Sequence, residues 1–122
     1  MSDLTNEASK NSVRKKRQIH KWGKAEVKPD ERKRIRLKAG ESFTGAGVHL
    51  PLMVWRGKED GPVLSVTAAI HGDEINGAGA IRKIIQEPHF ELERGNLILA
   101  PVMNTMCFER HSRYTSDRRD LN

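Results

Sequence analysis

The order strand, helix, strand in the middle of the chain constrains its fold most. Residues 62–70, "PVLSVTAAI", and residues 97–102, "LILAPV", are short apolar runs. Between them, isoleucine and alanine recur at three- and four-residue intervals from Ile75 to Ile85, which predicts a helix over residues 73–86. A strand, a helix and a strand of these lengths favour a right-handed crossover between parallel strands. The sequence therefore predicts an α/β fold.

Two further strands are predicted before this unit. "RIRLKAGESF", residues 34–43, alternates charged and apolar residues and ends in a glycine turn, which is typical of a half-exposed strand. "VHLPLMVWRG", residues 48–57, is separated from "PVLSVTAAI" only by "KEDG", which predicts a hairpin between those two strands. Residues 63–70 are apolar or small at nearly every position, which predicts a strand buried on both faces.

The ends of the helix also have sequence signals. Asp73 is a candidate N-cap, since its carboxylate can accept hydrogen bonds from the free N–H groups of the first turn. Pro88 is expected to end the helix. We therefore expect a mixed sheet with one crossover helix.

Charge divides the chain unevenly. Residues 1–40 hold 13 Lys and Arg against 5 Asp and Glu, whereas residues 41–122 hold 9 against 11. Residues 1–33 carry no apolar period, so they are predicted to be a flexible basic arm that precedes a folded part over residues 34–122. Such an arm can be a solvated tail or can dock on nucleic acid or acidic lipid. We favour the tail, because only Trp22 interleaves with the charges.

Several classes of protein are excluded or disfavoured by composition. The single cysteine, Cys107, cannot form an internal disulfide, and we expect it to be a buried thiol. No apolar run approaches the roughly 20 residues of a membrane span. The first residues lack the apolar centre of a signal peptide, so a cytoplasmic location is expected.

The stretch "HGDEING", residues 71–77, places polar residues where a strand passes into a helix. His71 is followed by Glu74 one tight turn later, and Gly72 allows the backbone between them to bend sharply. Zinc accepts imidazole nitrogen and carboxylate oxygen, and catalytic sites typically add one further protein ligand and a water. The spacing alone favours an acidic, N-capping turn beside an exposed histidine. Its context, at the carboxyl end of a strand in an α/β sheet, favours a site.

Three segments together resemble the succinylglutamate desuccinylase/aspartoacylase family of zinc hydrolases, relatives of the zinc carboxypeptidases. They are "TAAIHGDEINGAGAIRKI", "RGNLILAPVMN" and "SRYTSDRRDLN", in that order along the chain. The resemblance implies that His71 and Glu74 are ligands of Zn²⁺. It implies that Arg113 helps to polarise the scissile carbonyl, and that Asn122 belongs to the pocket for the substrate's carboxylate.

The same resemblance implies that part of the site is missing. The family's third zinc ligand and its catalytic glutamate belong to regions beyond "DLN". The remaining histidines, which are His20, His49, His89 and His111, are not expected to replace that ligand. We therefore expect an inactive N-terminal portion of a zinc-carboxypeptidase-like domain. The parent would hydrolyse an amide in a small N-acyl amino acid or similar carboxylate, and an ester is the less favoured alternative. The alternative is a non-catalytic module that binds an acidic partner or nucleic acid through its basic arm.

Overall fold

A computed structural model describes residues 20–115 and 118–121 of the chain. These residues form a small α/β layer with a separate two-stranded hairpin. In chain order, the elements are β1 (Lys21–Trp22), β2 (Ala25–Glu26), β3 (Arg32–Glu41), β4 (Gly47–Arg56), β5 (Glu59–Thr67), α1 (Ile75–Gln86), β6 (Arg94–Ala100) and α2 (Thr105–Phe108).

The main sheet contains four strands in the order β3-β4-β6-β5. β5 and β6 are parallel neighbours, with Leu64 opposite Leu97 and Val66 opposite Leu99. The helix α1 lies between them in the chain, so the predicted crossover is confirmed. β3 pairs with β4, and β4 pairs with β6, in both cases antiparallel. The sheet is therefore mixed, as expected.

The predicted hairpin between β4 and β5 is wrong. β6 lies between these two strands in the sheet and pairs with both. The connection at residues 57–58 passes the end of β6, where the Gly57 N–H donates to the carbonyl of Gly95 at 2.8 Å. Consecutive strands usually pair, but β6 takes this position because it can there bury apolar side chains on both faces. The hairpin of the main sheet is formed by β3 and β4 instead.

The burial predicted for residues 63–70 is also wrong in this chain. β5 lies at the edge of the sheet, where Val63 is 42% and Leu64 61% exposed. The strand buried on both faces is β6, whose six residues from Gly95 to Ala100 are all buried. An apolar run shows that a strand can be buried, but its place in the sheet decides whether neighbours cover it.

Apolar side chains cover both faces of the sheet. On the face under α1, Trp55, Leu97 and Leu99 pack with the helix residue Ile81. On the opposite face, a second cluster contains Val27, Ile35, Leu52, Val54, Ile98 and Ala100. Burial of these two clusters is the main source of stability, since the hydrophobic effect scales with the apolar area removed from water. Cys107 is buried, as expected.

Part of the predicted basic arm is folded. β1 and β2 form a hairpin, and Val27, which follows it, is 0% exposed in the core. Arg56 makes two hydrogen bonds to this segment. Its backbone N–H donates to Glu31 O at 2.9 Å, and its guanidinium donates to Val27 O at 2.9 Å. The predicted boundary after residue 33 is therefore wrong, because the folded part already includes residues 20–33. Their apolar residues stand singly among charged ones, so the sequence showed no periodic pattern there. Residues 1–19 lie outside the described residues.

The start of α1 differs from the prediction and its end agrees with it. Glu74, not Asp73, occupies the N-cap position, and it makes no side-chain capping bond, because its carboxylate is bonded to His71. At the other end, Glu87 is extended, as the residue before a proline tends to be, so the helix stops before Pro88. In the described residues, no helix is long and apolar enough to cross a membrane.

Candidate metal centre

The segment after β5 is fixed by backbone hydrogen bonds to the end of β6 and to the chain beyond it. The Ala68 N–H donates to Ala100 O at 3.0 Å, and Ala68 O accepts from Met103 N at 2.9 Å. Ala69 adopts a left-handed φ of 52°, and its carbonyl accepts from Asn104 N at 3.0 Å. Positive φ is unusual for alanine and persists only when the surroundings enforce it. The turn that carries His71 therefore leaves the sheet in a fixed direction.

Gly72 is required by a close approach of two segments. A Cβ at this position would lie 2.0 Å from the carbonyl oxygen of Cys107, which is backbone and cannot rotate away. The Gly72 N–H also donates to Ser112 O at 2.9 Å. The sequence predicted that Gly72 serves the bend between His71 and Glu74. The structure gives it a second reason, since the backbone of α2 at Cys107 and the chain after it at Ser112 lie directly against this residue.

His71 and Glu74 are brought together by this turn. His71 is buried, and its Nδ1 lies 2.6 Å from Oε1 of Glu74. The Glu74 backbone N–H donates to His71 O at 3.2 Å, which closes the turn. An imidazole nitrogen and a carboxylate oxygen thus converge on one point at the carboxyl end of β5.

Asp120 holds the opposite side of the imidazole, and sequence reasoning missed it. Its Oδ1 lies 2.8 Å from Nε2 of His71, and its Oδ2 lies 3.4 Å from Nη2 of Arg113. Asp120 therefore connects the histidine to the arginine that the family resemblance singled out. Asp120 is the aspartate of the family motif "DLN", but only the asparagine of that motif was assigned a role from the sequence.

The contacts of His71 set the charge of the pair. Hydrogen bonds that the imidazole donates to Glu74 and then to Asp120 raise the pKa of His71 above its ordinary value, although burial opposes them. The hydrogen bond to His71 lowers the pKa of Glu74. The two carboxylates beside the ring therefore favour the imidazolium form of His71, as a site that attracts a cation would.

The donor set fits two ligands of a zinc site. Histidines that bind a metal usually donate their other ring N–H to a carboxylate, and Asp120 is placed to accept from Nε2 of His71. That leaves Nδ1 of His71 and the Glu74 carboxylate on the metal side. Among residues 20–115 and 118–121, no group of three His, Cys, Asp or Glu residues is arranged to hold a metal. Asp120 does not complete one, because it lies on the far side of the imidazole ring.

The two other predicted site residues differ in what the structure shows. The Arg113 side chain is about half exposed, and its contact to Asp120 places it beside His71. Asn122 lies outside the described residues. His20, His49, His89 and His111 join no metal-binding group in the described part of the chain.

The fold and the His71–Glu74 pair define an α/β protein with a candidate metal site at the carboxyl end of a strand. The chain belongs to the succinylglutamate desuccinylase/aspartoacylase family, since residues 60–122 match its catalytic domain. The resemblance found in the sequence is thereby confirmed. In sequence, no curated protein gives a significant match to the chain.

Solved structures share the fold. A succinylglutamate desuccinylase/aspartoacylase from Rhodobacter sphaeroides is 27% identical, with a TM-score of 0.64 over 76% of this chain and 29% of its own. The product-bound ectoine utilization protein EutE (DoeB) from Ruegeria pomeroyi is 27% identical, with a TM-score of 0.65 over 80% of this chain and 31% of its own. An aspartoacylase family protein from Mesorhizobium loti is 23% identical, with a TM-score of 0.66 over 75% of this chain and 29% of its own. The chain thus spans about three-tenths of the length of these relatives.

Proposed function

We propose that this chain is the N-terminal portion of a zinc-dependent hydrolase that cleaves an amide bond, with an ester bond as the alternative, in a small N-acyl amino acid or similar carboxylate. The observation that carries the proposal is the position of the His71 imidazole, with Glu74 at Nδ1 and Asp120 at Nε2. Family membership supports the reaction class.

His71 and Glu74 would hold the metal, and Asp120 would orient His71. Accepting from Nε2, Asp120 fixes the tautomer in which Nδ1 is free of a proton and basic. Glu74 stands at the N-cap of α1, where the helix dipole favours a negative charge. Zinc at this point would lower the pKa of a bound water and polarise the substrate's carbonyl.

Arg113 would act on the substrate. Its guanidinium is fixed by Asp120 yet about half exposed, so it remains accessible to a ligand beside His71. A cation held next to the scissile carbonyl stabilises the negative charge that develops on oxygen in the transition state. Asn122 would donate its amide N–H groups to the substrate's carboxylate, because directed hydrogen bonds to a carboxylate are strong.

We further propose that the remaining machinery comes from chain beyond these 122 residues. Two ligands leave zinc one short of the three that catalytic sites typically use. The relatives are about three times as long as the aligned region, which leaves room for the third ligand and a catalytic base. On this proposal, the 122-residue chain alone does not hydrolyse N-acyl amino acids.

The test uses a longer protein that begins with residues 1–122 and has the full length typical of the relatives. It should release free amino acid from N-acyl amino acids, measured by amine-specific labelling, and zinc removal by a chelator should abolish the release reversibly. His71→Ala should remove bound zinc and activity together. Arg113→Ala should retain zinc and lower kcat/KM by about a hundredfold or more, the loss typical of one oxyanion-stabilising donor.

His111→Ala is the matched control, since it removes a histidine that lies near the site in sequence and belongs to no metal group in the described residues. It should leave both zinc content and activity unchanged. Full zinc occupancy and full activity in His71→Ala would refute the assignment.

A further inference from the structure

A cleft of about 560 Å³ lies between α1 and the β3–β4 side of the sheet. We call it the α1 cleft. One wall is a stripe of α1 at helical spacing, which includes Ile75, Ala78 and Gly79. Met53 of β4 lies on the floor, and Phe108 of α2 also lines the cleft. Its volume falls in the range of small-molecule sites, and its lining is mainly apolar, as such sites usually are.

Two arginines flank this apolar surface. Arg34 stands opposite Met53 in the sheet register, so its side chain lies on the α1 face. Arg82 lies across the cleft on α1 and follows the buried Ile81. Both guanidiniums therefore border the same space from opposite sides.

Neither Arg34 nor Arg82 has an ion-pair or hydrogen-bond partner in the part of the chain that the structure describes. Arg32, on the same face of β3, differs, since it lies 4.1 Å from the Trp55 ring centroid and donates to Glu87 O. Arg94 is paired with Glu59. The α1 cleft thus combines an apolar floor with two cations whose charges its own residues leave unbalanced.

We propose that the α1 cleft binds an apolar carboxylate of the medium-chain fatty-acid type. Its alkyl chain would cover Met53 and the exposed Ile75, because removing apolar surface from water is favourable. Its carboxylate would lie between Arg34 and Arg82 and accept charge-assisted hydrogen bonds from both. A neutral or cationic molecule of the same shape would leave the two guanidiniums unpaired beside it.

The α1 cleft is separate from the candidate metal centre. His71, Glu74, Arg113 and Asp120 do not line it. The proposal therefore does not depend on the hydrolase activity, and it can be tested in the 122-residue chain without metal.

The probe is decanoate, titrated into the full chain and followed by calorimetry and by two-dimensional NMR. We expect saturable binding with shift changes confined to α1, α2, β3 and β4. Decanol should bind at least about tenfold more weakly, since it lacks the charge that the arginines recognise. Arg34→Gln and Arg82→Gln should each weaken decanoate about tenfold, whereas Arg94→Gln should have no effect.

Gly79 offers a variant that separates binding from folding. A Cβ at Gly79 meets nothing within 4 Å, and Gly79 lines the cleft, so a larger side chain there would begin in open space and take up part of the cleft. Gly79→Leu should abolish decanoate binding while it stabilises the helix, because leucine is the better helix former. Gly79→Ala should keep binding, since one methyl group leaves most of the space free.

Three results would overturn the proposal. One is the absence of saturable decanoate binding, and another is equal binding of decanol and decanoate with no effect of the arginine variants. The third is self-association of the chain, measured by sedimentation, that Gly79→Leu abolishes and decanoate does not compete with. That result would show that a second copy occupies the cleft.

Discussion

Gly72 lies so close to the carbonyl of Cys107 that the path of the backbone there depends on the absence of a side chain. Gly72→Ala would place a methyl group 2.0 Å from that oxygen, so one of the two segments must move. We expect a loss of about 1–3 kcal/mol in the free energy of unfolding, as for other overpacked sites. Urea unfolding measures this loss, and an unchanged midpoint would contradict the close approach.

Gly79→Ala is the matched control for that experiment. Gly79 lies within α1, and a Cβ there meets nothing within 4 Å. The substitution should stabilise the chain by about 0.5–1 kcal/mol, because alanine loses less conformational entropy in a helix. If Gly72→Ala lowers the free energy of unfolding and Gly79→Ala raises it, the space around each glycine decides the effect of the substitution.

Asp120 acts at the residue scale through the tautomer of His71. In the neutral imidazole, its contact with Nε2 at 2.8 Å competes for the proton with the contact of Glu74 with Nδ1 at 2.6 Å. Nitrogen NMR of the metal-free chain above the pKa of His71 should therefore show a detectable share of the Nε2–H form. Asp120→Ala should shift the population toward Nδ1–H, which can donate to Glu74, while Asp120→Asn should retain much of the native ratio. A tautomer ratio that Asp120→Ala leaves unchanged would contradict the assigned role.

The difference between His71 and Asp120 shows what sequence reasoning reaches at this scale. His71 and Glu74 are three residues apart, so a local turn was enough to predict that they converge. Asp120 is 49 residues from His71, and its contact depends on how the chain returns after β6 and α2. No periodicity or local motif encodes that return.

At the scale of elements, the same local rules succeeded for β3, α1 and the crossover, and they failed for strand order. The helix period and the two apolar runs define β5, α1 and β6 without reference to the rest of the chain. Which strand lies beside β4 depends on competition for a central position. β6 holds it, because both of its faces are apolar and both are covered.

This order gives a direct test of β5 and β6. Leu99 of β6 is 0% exposed and Leu64 of β5 is 61% exposed, although both belong to apolar runs. Leu99→Ala should lower the free energy of unfolding by about 2–5 kcal/mol, as expected for a cavity in a core. Leu64→Ala should change it by no more than about 0.5 kcal/mol. Equal losses in urea unfolding would show that β5 is covered in solution.

At the scale of the whole molecule, the basic residues and the candidate site belong to different parts of the chain. The excess of Lys and Arg lies in residues 1–40, whereas His71, Glu74, Arg113 and Asp120 lie in the part with 9 basic and 11 acidic residues. The sequence showed this division correctly but placed the start of the folded part too late. Val27 joins the core through contacts with β3 and β4 that no local pattern announces.

Zinc binding tests the chain as a whole. His71 and Glu74 supply two donors whose metal bonds would be about 2.0–2.2 Å long, and the described residues supply no third. We expect the 122-residue chain to bind zinc weakly. Its affinity should fall short of that of the longer protein by more than about a hundredfold, since loss of an outer-shell partner alone typically costs about 10–100-fold.

Competition with a chromophoric chelator measures both affinities on one scale. In the short chain, His71→Ala should remove the weak binding, and His111→Ala should leave it unchanged, because only His71 is paired with Glu74. Tight, stoichiometric zinc in the short chain would contradict the two-ligand site. If His111→Ala then released that zinc, the third ligand would be His111, and the site would be complete within these 122 residues.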